Sequence, residues 1–457
     1  MQPDTLELKI SITLKKIIEI TKGSFAGQLE SLDQKISSIT INSRDAGQFD
    51  LYIAVIGKNH DGNKFTTEVL NNGTKFAIVS NPLFHREKTI LVKNGKEALG
   101  NIALYLRDQI KPKIIAITGS NGKTSTKEVL VSIMTNYLSR DQLLFTEGNY
   151  NNEIGLPLTL LNLKGTHSHA VLELGMSHAG EIAWLAKIAK PNIALITNIG
   201  EAHIQNFNSK DDIAEAKKEL LNNSDELETC VLPRDDEYYQ FLAKDLKNLK
   251  KVTFGFTKEA TISCKLIDEQ TITIFTPDEN FDVKINLLGK HNIKNILAAC
   301  ACSYAQDIPV KIIKKGIEEI KPFPGRLEKI INSKGLIVIN DTYNANPSSM
   351  REAIDVLAPM KGQKILVIGD MGELGSNASK YHKELGEYIK TAKIDFTLAV
   401  GRHTKITMQQ LGKDQLWFET KEALVSKLLG IIKPKAIILV KGSRFMKMEE
   451  VVNKIIL

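Results

Sequence analysis

IIAITGSNGKTSTKE, residues 114–128, is an apolar β-run, a glycine-bounded turn and a helix-forming segment in direct succession. That order of elements wraps the phosphates of a nucleotide. Gly119 and Gly122 let backbone N–H groups turn inward, the following helix aims its positive dipole end at the same spot, Lys123 supplies a cation, and the Thr124 hydroxyl suits Mg²⁺. The usual first glycine would fall at position 117, which is Ile117, so the match is to a shorter G-x-x-G-K-T form. The competing reading is a plain glycine-rich turn, and the strand before and helix after argue against it.

Outward from this stretch, the buried-strand runs at 114–117, 169–174 and 193–197 alternate with helical segments, as a mostly parallel doubly wound sheet requires. Residues 1–110 read as a small α/β module that includes FDLYIAVIG (49–57) and KFAIVS (75–80), and Lys111-Pro112-Lys113 is a plausible boundary. The patches TISCKL, QTITIF and VKINLL within 252–288 suggest an antiparallel addition, and Pro322-Phe323-Pro324-Gly325 reads as a rigid linker. A third alternation follows in GLIVIND, KILVIGD, DFTLAVG and AIILVKG. The expected fold class is therefore α/β in three domains: 1–110, 111–325 with the P-loop, and 326–457, the last Rossmann-like. A chain of 457 residues accommodates three such units.

Composition narrows the function further. The formal charge of +7 is spread over scattered lysines with no basic block interleaved with aromatics, so small anionic substrates are expected and nucleic acid is not. No run of about 18 apolar residues and no leader pattern is visible, which points to a cytoplasmic protein without membrane insertion. Cys230, Cys264, Cys300 and Cys302 lack C-x-x-C spacing and read as reduced core thiols.

Several side chains stand out chemically. Glu173 interrupts an apolar strand, where an ionised carboxylate needs a cation, and a metal ion is the economical partner. His203 lies just after another strand of the same sheet, where sites gather, although a lone histidine is often an ordinary core or surface residue. In DDIAEAKKELL, Asp211 and Asp212 can cap a helix whose inward stripe is Ile213, Ala216, Leu220 and Leu221. Lys217 falls on that stripe and Lys218 points away. A half-buried amine has a lowered pKa and can take up CO₂ as a carbamate, but from the residues alone a lysine snorkelling to solvent is the better reading. His291, Asn292 and Asn295 share a helix face and could edge an adenine, or Asn292 could merely cap. Arg326, after the proline-glycine hinge, and Asp341, ending a third-domain strand, are placed to close over nucleotide. Gly369-x-x-Gly372-x-x-Gly375 has the wrong spacing for a dinucleotide fingerprint, and Asp370 and Glu373 would repel a pyrophosphate.

TGSNGKTS, GNYNNEIGLPLTLL (148–161), LELGMS, TNIGEAH, EAKKEL, GKHNIKN, PGR, DTYNANPSSM (341–350) and GDMGELG (369–375) together resemble the Mur ligases of bacterial peptidoglycan synthesis. The last two motifs resemble the branch that joins D-alanyl-D-alanine to UDP-N-acetylmuramoyl-tripeptide, and no D-N-P-R motif of the third-residue ligase occurs. The resemblance implies an ADP-forming amide ligase, probed against two kinds of rival: another amide ligase such as the third-residue enzyme or folylpolyglutamate synthetase, and a non-ligating nucleotide switch. It also implies residue roles. Gly119, Ser120, Asn121, Gly122, Lys123, Thr124 and Ser125 would hold ATP with His291, Asn292, Asn295, Arg326 and Asp341. Thr124, Glu173, His203 and a carbamylated Lys217 would hold two Mg²⁺ ions, with Lys123, Glu173, His203 and Lys217 carrying the chemistry. The N-terminal domain would bind the UDP-muramyl peptide through Ser43 and Arg44, helped by Asn151 and Asn152. Asn344, Asn346 and Ser348 would face the incoming dipeptide, and the C-terminal domain would close over ATP. A monomer is expected.

Overall fold

The structure is a computed structural model describing residues 5–456 except Ala46, Lys58, Asn59, Lys247, Ser333, Lys334 and 413–415. Ala46, Lys58 and Asn59, three positions of NSRDAGQFDLYIAVIGKNHDGNKF (42–65), the stretch that contains Ser43 and Arg44, therefore lie outside the described residues.

The central sheet has six strands in the order Lys250–Phe254, Thr229–Pro233, Ile193–Ile196, Lys113–Thr118, His169–Glu173, Leu143–Phe145. Every neighbouring pair is parallel. Because helices cover both faces, the strands are apolar without alternation: Ile114 to Ile117 and Ala170 to Leu172 are all fully buried. The phosphate-loop strand Lys113–Thr118 sits between Ile193–Ile196 and His169–Glu173. The chain crosses to opposite sides of that strand, so residues leaving its two neighbours flank the loop, which is the switch point where open α/β sheets bind ligands.

Two additions complete this region. The three strands Ser263–Leu266, Thr271–Phe275 and Asn280–Lys284 form the expected antiparallel sheet, with Ile272 and Ile274 buried on one face. Lys250–Phe254, whose last three residues open the 252–288 stretch, instead extends the parallel sheet.

The N-terminal sheet also has six strands. Leu51–Ile53, Phe76–Val79 and their neighbours pair in parallel in the middle, and both edges pair antiparallel. Helix Gly95–Ile110 joins this layer to the central one: a Cβ on Gly100 would meet Ile188 Cδ1 at 2.7 Å, so only glycine permits this helix contact. The buried Arg107 guanidinium then donates to the carbonyls of Ala189 and Lys190 and pairs with Glu226. The C-terminal sheet runs Glu328–Ile331, Ile337–Asp341, Ile437–Lys441, Lys364–Gly369, Phe396–Val400, Trp417–Phe418, antiparallel only at its first pair. One contiguous apolar cluster links all three layers, from Leu6 through Leu172 to Leu439.

Helix Lys210–Asn222 corrects two expectations. Its cap is Ser209, which accepts from the Asp212 amide, so Asp211 and Asp212 occupy the first turn. Ile213, Ala216, Leu220 and Leu221 are buried as read, but Lys218 is buried too. Its ammonium donates to the Phe241 carbonyl and lies 4.5 Å from the Phe241 ring centroid. A short helix packs over the side of the helix that periodicity alone leaves open to water. All four cysteines are free and buried. Among the described residues no helix is long and apolar enough to cross a membrane.

Candidate active site

Strand Lys113–Thr118 delivers the phosphate turn, and helix Lys123–Tyr137 leaves it. Gly119 has φ +151° and Gly122 φ +81°. Side chains here are excluded on space as well: a Cβ on Gly119 would lie 1.8 Å from Thr197 Oγ1 and one on Gly122 2.2 Å from Asn295 Oδ1. No side chain caps the helix, so its first-turn amides point at the turn and complement an anion. The Ser120 and Asn121 amides are held otherwise, by the carbonyl and side chain of Asn198. Ser120 Oγ turns away to Gly200. Lys123 Nζ donates to the Gly119 carbonyl at 2.7 Å, folding back over the loop. Burial pulls its pKa down, partly offset by Glu173.

Glu173 ends its strand 3% exposed. Its carboxylate accepts from Thr124 Oγ1 at 2.9 Å and Asn151 Nδ2 at 2.8 Å, while its amide donates to Thr146 Oγ1. These neutral donors stabilise the charge that the apolar strand would reject. Thr124 Oγ1 also accepts from Arg326 Nη2 at 3.1 Å, and the Arg326 guanidinium stacks 3.9 Å from the Tyr343 ring centroid. His203 adopts φ +63°. Its Nδ1 lies 2.7 Å from Glu373 Oε2, an ion-pair distance off the line of a hydrogen bond. Lys217 is 2% exposed. Burial lowers its pKa well below the ordinary lysine range, and the Lys123 charge adds to the shift, so the amine is set toward its neutral form.

These groups border one cavity of about 640 Å³ between the central and C-terminal sheets. Ser120 to Ser125, Asn151, Asn152, Glu173, His203, His291, Asn292, Asn295, Arg326, Asp341, Asn344, Asn346 and Ser348 all line it. Lys217 does not; it is buried, near enough to Lys123 to feel its charge. Asn292 is no cap: the helix Lys290–Tyr304 starts at Gly289, and Asn292 donates to the Leu288 carbonyl and accepts from Asn295. The Asn152 side chain accepts from the amides of Ile154 and Gly155, in the turn that leads into helix Gly155–Leu161. Asp341 accepts from the buried Lys441 ammonium at 2.7 Å, and the same ammonium holds the Asn344 carbonyl. Ser43 and Arg44 sit in the turn after strand Lys35–Thr40 and border neither this cavity nor a second one of about 560 Å³. That second cavity lies between the N-terminal and central layers, with Lys93, Asn94, Lys96, Glu153 and Trp184 in its wall.

Sequence reasoning missed several wall residues. Asn198 lies two residues beyond strand Ile193–Ile196 within a quoted motif, and Lys441 ends the apolar run AIILVK, the same signal that singled out Glu173. Glu373 was set aside as repelling phosphate, yet it reaches His203. Glu352 lines the cavity, and burial pushes its carboxyl up against the pull of His291, Lys441 and Lys294.

Among the described residues no three His, Cys, Asp or Glu side chains cluster as a metal cage. The donors that do converge, the Thr124 hydroxyl and Glu173 carboxylate beside a phosphate turn, are the hard oxygen set that suits Mg²⁺ shared with nucleotide phosphates.

A phosphate turn on a parallel sheet, roofed by side chains from a second Rossmann-like layer, defines a nucleoside-triphosphate enzyme that works between domains. The chain belongs to the Mur ligase family, in the three-domain fold of that family. Residues 117–303 match the Mur ligase middle domain and 325–444 the Mur ligase glutamate ligase domain. It is 35% identical to UDP-N-acetylmuramoyl-tripeptide–D-alanyl-D-alanine ligase of Escherichia coli K12, over 97% of this chain and 98% of that one. Its fold matches crystal structures of MurF from Acinetobacter baumannii (TM-score 0.90, 32% identity, 99% and 100% of the two chains covered). It also matches MurF of Thermotoga maritima solved with ADP (TM-score 0.80, 27% identity, 91% and 96% covered).

Proposed function

We propose that this chain is an ATP-dependent, ADP-forming ligase that joins D-alanyl-D-alanine to UDP-N-acetylmuramoyl-tripeptide in peptidoglycan precursor synthesis. The observation that carries the reading is the extent of the likeness. All three layers, including the N-terminal one, superpose on MurF, and most of the motif residues, from Ser120–Ser125 to Ser348, meet at one cavity.

In the first step a carboxylate oxygen of the tripeptide attacks the γ-phosphorus, the bond to the β–γ bridging oxygen breaks, and ADP leaves with the electron pair. In the second the dipeptide amine attacks the acyl carbon, phosphate leaves, and the amine proton passes to the departing phosphate or solvent. An anion attacking a triphosphate needs positive charge on the transferred oxygens. Lys123 and the uncapped first-turn amides supply it from below, and Arg326 from above. Mg²⁺ held by Thr124 and Glu173, with a second ion served by His203 and a carbamylated Lys217, would add Lewis-acid charge stabilisation. The lowered pKa and enclosure of Lys217 favour the neutral amine that carbamylation requires. Asn151 fixes Glu173, and His291, Asn292, Asn295 and Asp341 border the nucleoside end.

The division of labour follows the layers: 1–110 for the UDP-muramyl peptide, 111–325 for ATP, 326–457 for the dipeptide and closure. A cytoplasmic monomer fits these soluble substrates. The test is acceptor choice: phosphate release with ATP and the UDP-tripeptide should rise with D-alanyl-D-alanine and not with single amino acids. A preference for one free amino acid would point to a third-residue ligase, and turnover indifferent to the tripeptide would point to a nucleotide switch.

A further inference from the structure

Among the described residues, Asn121 is the one side chain of the phosphate turn that reaches across to the C-terminal layer through two bonds. Its Oδ1 accepts from Asn346 Nδ2 at 2.7 Å, and its Nδ2 donates to Ser348 Oγ at 2.8 Å. Ser348 Oγ donates to Asn346 Oδ1 at 3.0 Å. The three side chains thus close a ring in which every donor has an acceptor and all bonds run in one sense.

Both sides of the ring are rigid. Asn121 is clamped by its backbone, the N–H donating to Asn198 Oδ1 at 3.0 Å and the carbonyl accepting from Thr197 Oγ1 at 2.6 Å and Asn198 Nδ2 at 3.0 Å. Asn346 is fixed as the cap of helix Pro347–Leu357, exchanging bonds with Ser349 in a capping box. The amide of Asn346 and hydroxyl of Ser348 are thereby turned to the phosphate turn. Two preorganised walls meeting through neutral groups form a contact that adds no charge beside a triphosphate.

We propose that Asn121, Asn346 and Ser348 are the latch that holds the C-terminal domain over the phosphate turn, with Asn121 a positioning residue that sets the acceptor side against the acyl phosphate. The inference rests on the ligase reading. A ring of neutral hydrogen bonds is strong enough to bias closure by about fivefold per bond, and weak enough to open at each turnover. Its breakage leaves the phosphate-binding amides in place but lets water reach the activated carboxyl. Charge at either amide has a specific consequence: Asn346→Asp sets an acceptor against Asn121 Oδ1.

The test uses the full chain as Asn121→Ala, Ser348→Ala, the double variant, and Asn346→Asp, each first checked for an unchanged melting profile. Ser348→Ala opens the ring without touching the phosphate turn, so it keeps the idea testable if Asn121→Ala folds poorly. Small-angle scattering with a non-hydrolysable ATP analogue reads compaction. Phosphate released per amide formed, and the KM for dipeptide against kcat, read coupling. The latch predicts looser particles and an excess of phosphate over amide. It also predicts a dipeptide KM raised more by Asn121→Ala, which removes both cross-domain bonds, than by Ser348→Ala, which leaves Asn346 Nδ2 on Asn121 Oδ1, and the double variant should cost little more than Asn121→Ala. Compaction and coupling equal to wild type in all variants would overturn it. Wild type that compacts with nucleotide and loses compaction on Ser348→Ala, yet forms no amide, would sink the ligase reading while leaving the latch standing.

Discussion

The two walls of the main cavity hold their functional groups by different means. On the central wall, charges are enclosed and held within the layer itself: Glu173 closes its strand between Thr124 and Asn151, Lys123 folds onto the Gly119 carbonyl, and Lys217 is buried in helix Lys210–Asn222. On the C-terminal wall, groups meet the centre through side chains that span long stretches of sequence: Arg326 on Thr124, Asn346 on Asn121, Glu373 on His203. The first arrangement suits charge stabilisation, which needs preorganisation, and the second suits reversible closure. A wall that must stay and a wall that must move are thus built from different interactions.

The largest break in this comparison should come from the central wall. Lys123→Ala removes the cation aimed at the transferred phosphoryl, and the ligation rate should fall by about 10³-fold with the fold intact, checked by steady-state kinetics and a thermal melt. Next comes the base of the moving wall. Lys441→Met removes a buried ammonium and strips the partly buried Asp341 carboxylate of its cation, and should cost about 3 kcal/mol of stability, read by denaturant unfolding. A loss under about 1 kcal/mol would show the pair to be dispensable. Lys217→Ala should cut the rate about 10²-fold, and added short carboxylates should restore part of it by standing in for the carbamate. Full activity without rescue would refute the modification.

The smallest effect is a pH dependence confined to the C-terminal wall. His382 is fully buried, accepts from the Met371 amide at its Nε2, and stacks on His403. Burial lowers its pKa from the ordinary value of 6.5 to about 4. The unfolded chain therefore binds this proton at a higher pH than the folded one, so stability is complete above about 6.5 and declines as pH falls toward about 4. His382→Gln, which retains an acceptor, should flatten that slope in melts across this range. An unchanged slope would place the acid sensitivity elsewhere.

The same contrast explains what could be read from the sequence. The phosphate turn, the strand that feeds it and the Glu173 anomaly are local, carried by adjacent residues or by one polar group in an apolar run. The three alternating α/β stretches were legible for the same reason. Contacts of the moving wall were not, since Asn121 and Asn346 are 225 positions apart and nothing in either segment names the other. Lys218 was misread because periodicity marks one face of a helix and is silent on whether Phe241 covers the next. Asn292 was ambiguous between cap and ligand contact because the true start of its helix depends on Gly289 at φ +92°.

The account stands on a carboxylate oxygen attacking the γ-phosphorus of ATP, and an isotope experiment reads that bond directly. With the tripeptide's reacting carboxylate labelled with ¹⁸O and D-alanyl-D-alanine present, each phosphate released should carry one ¹⁸O from the acid. Phosphate free of label, alongside normal amide formation, would contradict it.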